Sequence, residues 1–136
     1  MINKIGFIAG CFDGPEGCHE GHKYLLKCAK EYCDYLIVAI NYDVYIRTQK
    51  NREPLAGQYK RREALYNTGL VDEVVYFNSD PLLLIQYFRP DFVFCGSDYK
   101  VSQVIGHEEI KKWGGEVKII ERLPNISTTE IIEGEK

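Results

Sequence analysis

A chain of 136 residues with 17 basic and 20 acidic side chains, net charge −3, has room for one ordinary domain and not for two comfortable ones. A domain of this size buries about two-thirds of its unfolded surface, so its core needs no disulfide. The slight acidic excess argues against a nucleic-acid surface but leaves room for a local basic pocket. No stretch approaches the ~20 apolar residues of a membrane span, and Met1 leads into an apolar segment rather than a signal peptide. No membrane association and a cytoplasmic setting are therefore expected.

The first apolar run, Ile5 to Phe12, reads as a buried strand. It feeds a loop that begins Gly10-Cys11-Phe12-Asp13 and ends in His19-Glu20-Gly21-His22, directly before a helical pattern over His22 to Cys33. The glycines fall at 6, 10, 14, 17 and 21, which is not the Gly-x-Gly-x-x-Gly spacing of a dinucleotide turn. Two imidazoles three residues apart share one face of a first helical turn. Unpaired N–H groups and a positive dipole there favour a polyphosphate. Gly21, without a Cβ, lets a flat nucleotide approach the main chain. These features together describe a site for a nucleotide α-phosphate.

Tyr35 to Asn41 is the second strand, followed by Arg47-Thr48-Gln49-Lys50-Asn51-Arg52-Glu53-Pro54, a cluster of three cations in an otherwise acidic chain. Gln58 to Gly69 reads as a helix near whose start Lys60-Arg61-Arg62 places cations against the dipole, which a phosphate site would explain. Strands over Val74 to Phe77, Phe92 to Cys95 and Val117 to Ile120 alternate with helical segments at Pro81 to Phe88 and Ile105 to Trp113. Gly69 and the Gly114-Gly115 pair stand where helix C-termini want a positive φ. Near the end, Ser127 or Thr128 offers an N-cap, Glu130 completes a capping box with Ser127, and the second hydroxyl with the free N–H groups leaves room for a phosphate.

Continuous apolar strands alternating with helices predict an α/β fold: a single Rossmann-like, doubly wound parallel sheet of about five strands, residues 1–136 forming one domain. Ligands of such sheets lie outside the carboxyl ends of the strands, where the strand order reverses. The segments expected at that edge are Gly10 to His22, Asn41 to Arg62, Gly96 to Lys100 and Pro124 to Thr129. The five cysteines (Cys11, Cys18, Cys28, Cys33 and Cys95) are odd in number and read as small buried hydrophobes of a reducing cytosol. Cys11, Cys18, His19 and His22 could be drawn as a metal cluster, but no Cys-x-x-Cys pair supports zinc.

Gly-Cys-Phe-Asp before His-x-Gly-His, then a basic loop, an Arg-bearing helix and a terminal Ile-Ser-Thr-Thr, resembles the cytidylyltransferase-like nucleotidyltransferases over essentially the whole chain. Gly96-Ser97-Asp98-Tyr99-Lys100, Ile105-Gly106, Trp113-Gly114-Gly115-Glu116-Val117 and the Ser-Thr-Thr segment look most like the adenylyltransferase domain that makes ADP-heptose from heptose 1-phosphate. The glycerol-3-phosphate cytidylyltransferases come next. The resemblance implies transfer of a nucleoside monophosphate from a nucleoside triphosphate to a phosphorylated sugar or polyol, with release of pyrophosphate. ATP with a heptose 1-phosphate-like acceptor leads, and CTP with glycerol 3-phosphate or a similar small phosphorylated alcohol is the alternative.

Under that resemblance His19 and His22, kept largely neutral by the helix N-terminus, would donate N–H to phosphate oxygens. Lys50 with Arg47 would neutralise the α-phosphate and the acceptor. Arg61, or its neighbour Arg62, would clamp the β- and γ-phosphates, together with Ile126, Ser127, Thr128 and Thr129. Gly10, Cys11, Phe12, Asp13, Gly21 and Gly96 would line the nucleotide, Asp98 would meet its ribose, and Mg²⁺ would ride mainly on the triphosphate with Asp13 a candidate ligand. The resemblance also implies a homodimer. Two departures stand out: five residues, Gly14 to Cys18, separate Phe-Asp from the first histidine where two are usual, lengthening the loop over the triphosphate. Arg47 stands where the basic loop usually has its first lysine.

Overall fold

The structure, a computed structural model, describes residues 4–121. Its five strands are β1 (Ile5–Gly10), β2 (Tyr35–Asn41), β3 (Glu73–Phe77), β4 (Phe92–Gly96) and β5 (Glu116–Ile120). They form one parallel sheet in the order β3-β2-β1-β4-β5, the doubly wound arrangement expected. The helices are α1 (Glu20–Lys30), α2 (Asp43–Gln49), α3 (Gln58–Asn67) and α4 (Leu82–Phe88), with short 3₁₀ segments at Val101–Gln103 and Glu109–Trp113.

Side chains of period two divide β2 between two cores. Leu36, Val38 and Ile40 pack with Leu26 and Ala29 of α1 and Leu65 of α3 on one face. Ile37 and Ala39 pack with Ile85 of α4 and Ile110 of the second 3₁₀ segment on the other. This double coverage explains why the strands carry continuous apolar runs instead of alternation. Among the described residues no helix is long and apolar enough to cross a membrane.

Local chemistry moves several boundaries. β1 stops at Gly10, not Phe12, because Phe12 turns to φ 51 and leaves the extended region. Helix α2 occupies part of the segment expected as a loop; only Ile46 of its seven residues is buried, so it carries almost no apolar period. The helix expected over Ile105 to Trp113 is reduced to a 3₁₀ segment, since Gly106 at φ +91 breaks any continuous turn. Gly69 and Gly114 have the expected positive φ, +75 and +81.

The extra loop residues fold back on themselves. Gly17 N–H donates to the Gly14 carbonyl at 3.0 Å, closing a tight turn. That turn docks on α3, with Gly17 at φ +108 and so near the helix that a Cβ would lie 2.3 Å from Cβ of Ala64. Part of the insertion is thus packed against α3. Gly17→Ala combines positive-φ strain with a clash and is expected to lower the unfolding free energy by roughly 2–4 kcal/mol. Gly69→Ala, where a Cβ meets nothing within 4 Å, should cost about 1 kcal/mol. Urea unfolding of both variants checks this; equal losses would contradict docking of the turn on α3.

Candidate active site at the carboxyl edge of the sheet

Strands β1 and β2 pair along their whole length, from Ile5↔Tyr35 to Gly10↔Ile40. By contrast β1 and β4 pair only at Gly6↔Phe92 and Phe7↔Val93. Past Phe7 the two central strands part, at the point where the strand order reverses, which is where open α/β sheets take their ligands. A cavity of about 310 Å³ opens in that gap, lined by Ala9, Gly10 and Cys11 on one side, Val93 and Cys95 on the other, and reached by Lys50.

Helix α1 begins at the same edge. Its N-cap is His19, whose Nδ1 accepts the His22 backbone N–H at 3.3 Å, while the His19 backbone N–H donates to His22 Nδ1 at 3.2 Å. This is the reciprocal capping box normally built from Ser or Thr with Glu, here built from two imidazoles. The rings stack with centroids 3.6 Å apart and planes 11° apart. A nitrogen that accepts a hydrogen bond carries no proton, so each neutral ring holds its proton on Nε2. The cap thereby turns both histidines into Nε2–H donors, the form that suits a phosphate oxygen.

Behind the histidines lies a buried ionic network. Asp13, 2 % exposed, accepts from Leu55 N–H and Arg52 Nη1 on one oxygen, at 2.9 and 2.8 Å, and from Ala56 N–H on the other at 2.9 Å. Arg61 is fully buried and donates Nε to the Ala56 carbonyl at 2.9 Å, Nη1 to the carbonyls of Cys11 and Asn41 at 2.9 and 2.8 Å, and Nη2 to Asp43 at 2.7 Å. Two cations and two carboxylates balance, and each has hydrogen-bond partners, the condition under which buried charge is tolerated. Ala56 is gripped from both sides, and the loop that follows Lys50 is thereby laced to the loop that follows β1.

The network bears on two of the expected roles. Arg61, expected to clamp the β- and γ-phosphates, directs four hydrogen bonds to three carbonyls and Asp43 inside the protein. Asp13, expected as a candidate Mg²⁺ ligand, accepts two hydrogen bonds on one oxygen and one on the other, all from protein groups. Among the described residues no group of three or more His, Cys, Asp or Glu is placed to hold a metal ion. Arg62 is exposed on α3.

Of the two cations at the end of α2, Lys50 faces the cavity, whereas Arg47 is half-exposed and donates Nε to Glu53 at 2.9 Å. Gly10 and Cys11 stand at the cavity rim and Gly21 lies in the first turn of α1. Phe12 is buried against His22, with ring centroids 4.8 Å apart. Gly96 ends β4, and Asp98 is exposed in the turn after it. Ile126, Ser127, Thr128 and Thr129 lie outside the described residues.

Sequence reasoning missed Asn41, whose carbonyl meets Arg61, whose amide donates to the Asn78 carbonyl, and whose Oδ1 accepts the Cys11 thiol at 3.2 Å. A polar residue closing the apolar run Leu36–Ile40 is the signal that could have found it. The thiols are not poised for chemistry: burial pushes Cys11 and Cys18 up, and raises Cys95 and Cys33 to about 11. All five cysteines are free.

Removing one member of a satisfied buried network strands its partners. Arg61→Met is expected to cost about 3–5 kcal/mol of stability. Lys50→Ala, at an exposed position, should cost under about 0.5 kcal/mol. Thermal or chemical unfolding separates the two roles. An Arg61→Met protein as stable as the parent would return the guanidinium to the ligand.

A family model described as cytidylyltransferase-like matches residues 7–134. The bifunctional protein HldE of Koribacter versatilis is 44 % identical over 132 residues, 96 % of this chain and 26 % of that protein. The protein of the same name from Alcanivorax borkumensis is 40 % identical over 132 residues, again 96 % of this chain and 27 % of its own length. The chain thus spans about a quarter of the length of these relatives. Among solved structures, a lipopolysaccharide core biosynthesis protein of Thermoplasma volcanium superposes with a TM-score of 0.67 at 22 % identity, over 89 % of this chain and 98 % of its own. The pantoate-β-alanine ligase of Francisella tularensis, complexed with β-γ ATP and β-alanine, superposes with a TM-score of 0.60 at 18 % identity, over 95 % of this chain and 67 % of its own. These structures share the fold. With the family model covering nearly the whole chain and relatives at 40 % identity or above, this chain belongs to the cytidylyltransferase-like family.

Proposed function

We propose that this chain is a nucleotidyltransferase that moves a nucleoside monophosphate from a triphosphate to a phosphorylated sugar, with ATP and a heptose 1-phosphate-like acceptor as the leading pair. The observation that carries the reading is the imidazole capping box: two Nε2–H donors at the N-terminus of the helix that follows β1. The likeness to the HldE proteins supports the substrate class.

An acceptor phosphate oxygen attacks the α-phosphorus, the bond to the α–β bridging oxygen breaks, and pyrophosphate leaves with those electrons. No covalent enzyme intermediate is required. The protein's contribution is position and charge stabilisation. His19 and His22 donate Nε2–H to α-phosphate oxygens. Lys50 approaches from the cavity side and neutralises the phosphate of the acceptor seated there. Asp98 is kept for the ribose, and Ser127, Thr128 and Thr129 for the far phosphates. Mg²⁺ would neutralise triphosphate charge and is proposed to ride mainly on the nucleotide, with Asp13, which already accepts three protein hydrogen bonds, a lesser candidate ligand. A cytoplasmic homodimer is proposed from the family resemblance.

Loss of one charge-stabilising donor typically costs 10²–10³ in rate. His22→Ala is therefore expected to lower kcat by about that factor while the protein still folds. Pyrophosphate release is measured with each of the four triphosphates against heptose 1-phosphate, glycerol 3-phosphate and phosphocholine. Highest turnover with ATP and the heptose phosphate is expected. Near-parental turnover in His22→Ala would overturn the site, and a preference for CTP with glycerol phosphate would move the substrate.

A further inference from the structure

Three non-glycine residues among those described have positive φ: Phe12 at 51, Asn51 at 55 and Arg89 at 48. Asparagine tolerates that region through its short polar side chain. Arg89 is the C-cap of α4, a regular place for it. Phe12 has neither excuse. It is bulky, lies in a loop between Cys11 and Asp13, and is 5 % exposed. A strained conformation persists only where its surroundings over-determine it, and such outliers gather at functional sites.

The surroundings are explicit. Arg61 fixes the Cys11 carbonyl on one side of Phe12, and the three hydrogen bonds of Asp13 fix the other. Between those anchors the chain reverses, and the ring lands beside His22 at 4.8 Å with a 43° tilt. Gly10 leaves room for it, because a Cβ there would stand 3.3 Å from the ring. His22 therefore has Phe12 as one aromatic neighbour and His19 as another, stacked at 3.6 Å, while its Nδ1 is tied to the His19 N–H.

We propose that Phe12 is a positioning residue for His22: its ring, delivered by the strained backbone, sets the imidazole plane and holds Nε2–H on the phosphate. This rests on the nucleotidyltransferase reading for its catalytic consequence, but its geometry can be tested without turnover. The backbone strain is retained because a relaxed loop would carry the ring away from the imidazole.

The test compares Phe12→Leu, which keeps apolar volume but removes the ring, with Phe12→Tyr, which keeps it. Turnover and the imidazole ¹⁵N resonances of His22 are read in each. Phe12→Leu is expected to lose tenfold to a hundredfold in kcat, the order associated with misplacement near the chemistry, with KM for ATP changed less than about twofold. His22 should pass from a single Nε2–H tautomer to an averaged one. Phe12→Tyr should restore both. If Phe12→Leu does not fold, Phe12→Met, whose unbranched chain fills irregular gaps, carries the comparison. An unchanged kcat, a loss confined to KM, or an unaltered His22 spectrum in a folded variant would overturn the proposal. Absence of transfer in the parent protein would overturn the functional reading instead, with the His22 spectrum still deciding the role of Phe12.

Discussion

The grip on Ala56 is the constraint from which the rest of the site follows. Its N–H is held by Asp13, from the loop after β1, and its carbonyl by Arg61, from α3. Arg61 also ties down the ends of β1 and β2 through the carbonyls of Cys11 and Asn41, and the start of α2 through Asp43. Loops leaving the edge of a parallel sheet have no ladder to hold them. Here a buried guanidinium, with donors in a fixed planar fork, replaces that ladder. A lysine, with one compact ammonium, could not meet four acceptors on three segments.

Two consequences reach the chemistry. The loop after β1 is held closely enough to force Phe12 into a left-handed conformation beside His22. The chain beyond Lys50 is anchored as well, so the lysine at the end of α2 faces the cavity instead of drifting with a loose loop. Imidazole donors at the start of α1 and a cation at the cavity thus stand on different elements, both referred to one frame. That arrangement suits a reaction in which two phosphorylated partners must meet in line with little covalent help from the protein.

How much of this was legible in the sequence depends on whether the information was local. β2 was readable because a continuous run from Leu36 to Ile40 has few fates other than a strand covered on both faces. The histidines were readable because a three-residue spacing at a helix start is itself a geometry, although the reciprocal use of Nδ1 in a capping box was not foreseen. Helix α2 was not readable, having one buried residue and no side-chain cap. The burial of Arg61 was not readable for a different reason. In Lys60-Arg61-Arg62-Glu63 every side chain looks solvent-facing, and only tertiary closure reveals that the middle of the run is entirely buried. Local charge patterns report where ions stand in the chain, not which carbonyls will surround them.

The most direct measurement is a crystal structure of the chain with a non-hydrolysable ATP analogue and Mg²⁺. The expected result places α-phosphate oxygens within hydrogen-bond distance of Nε2 of His19 and His22, at the gap where β1 and β4 part, with Arg61 still wholly engaged with protein groups. Triphosphate bound by Arg61, or lodged away from the start of α1, would contradict it.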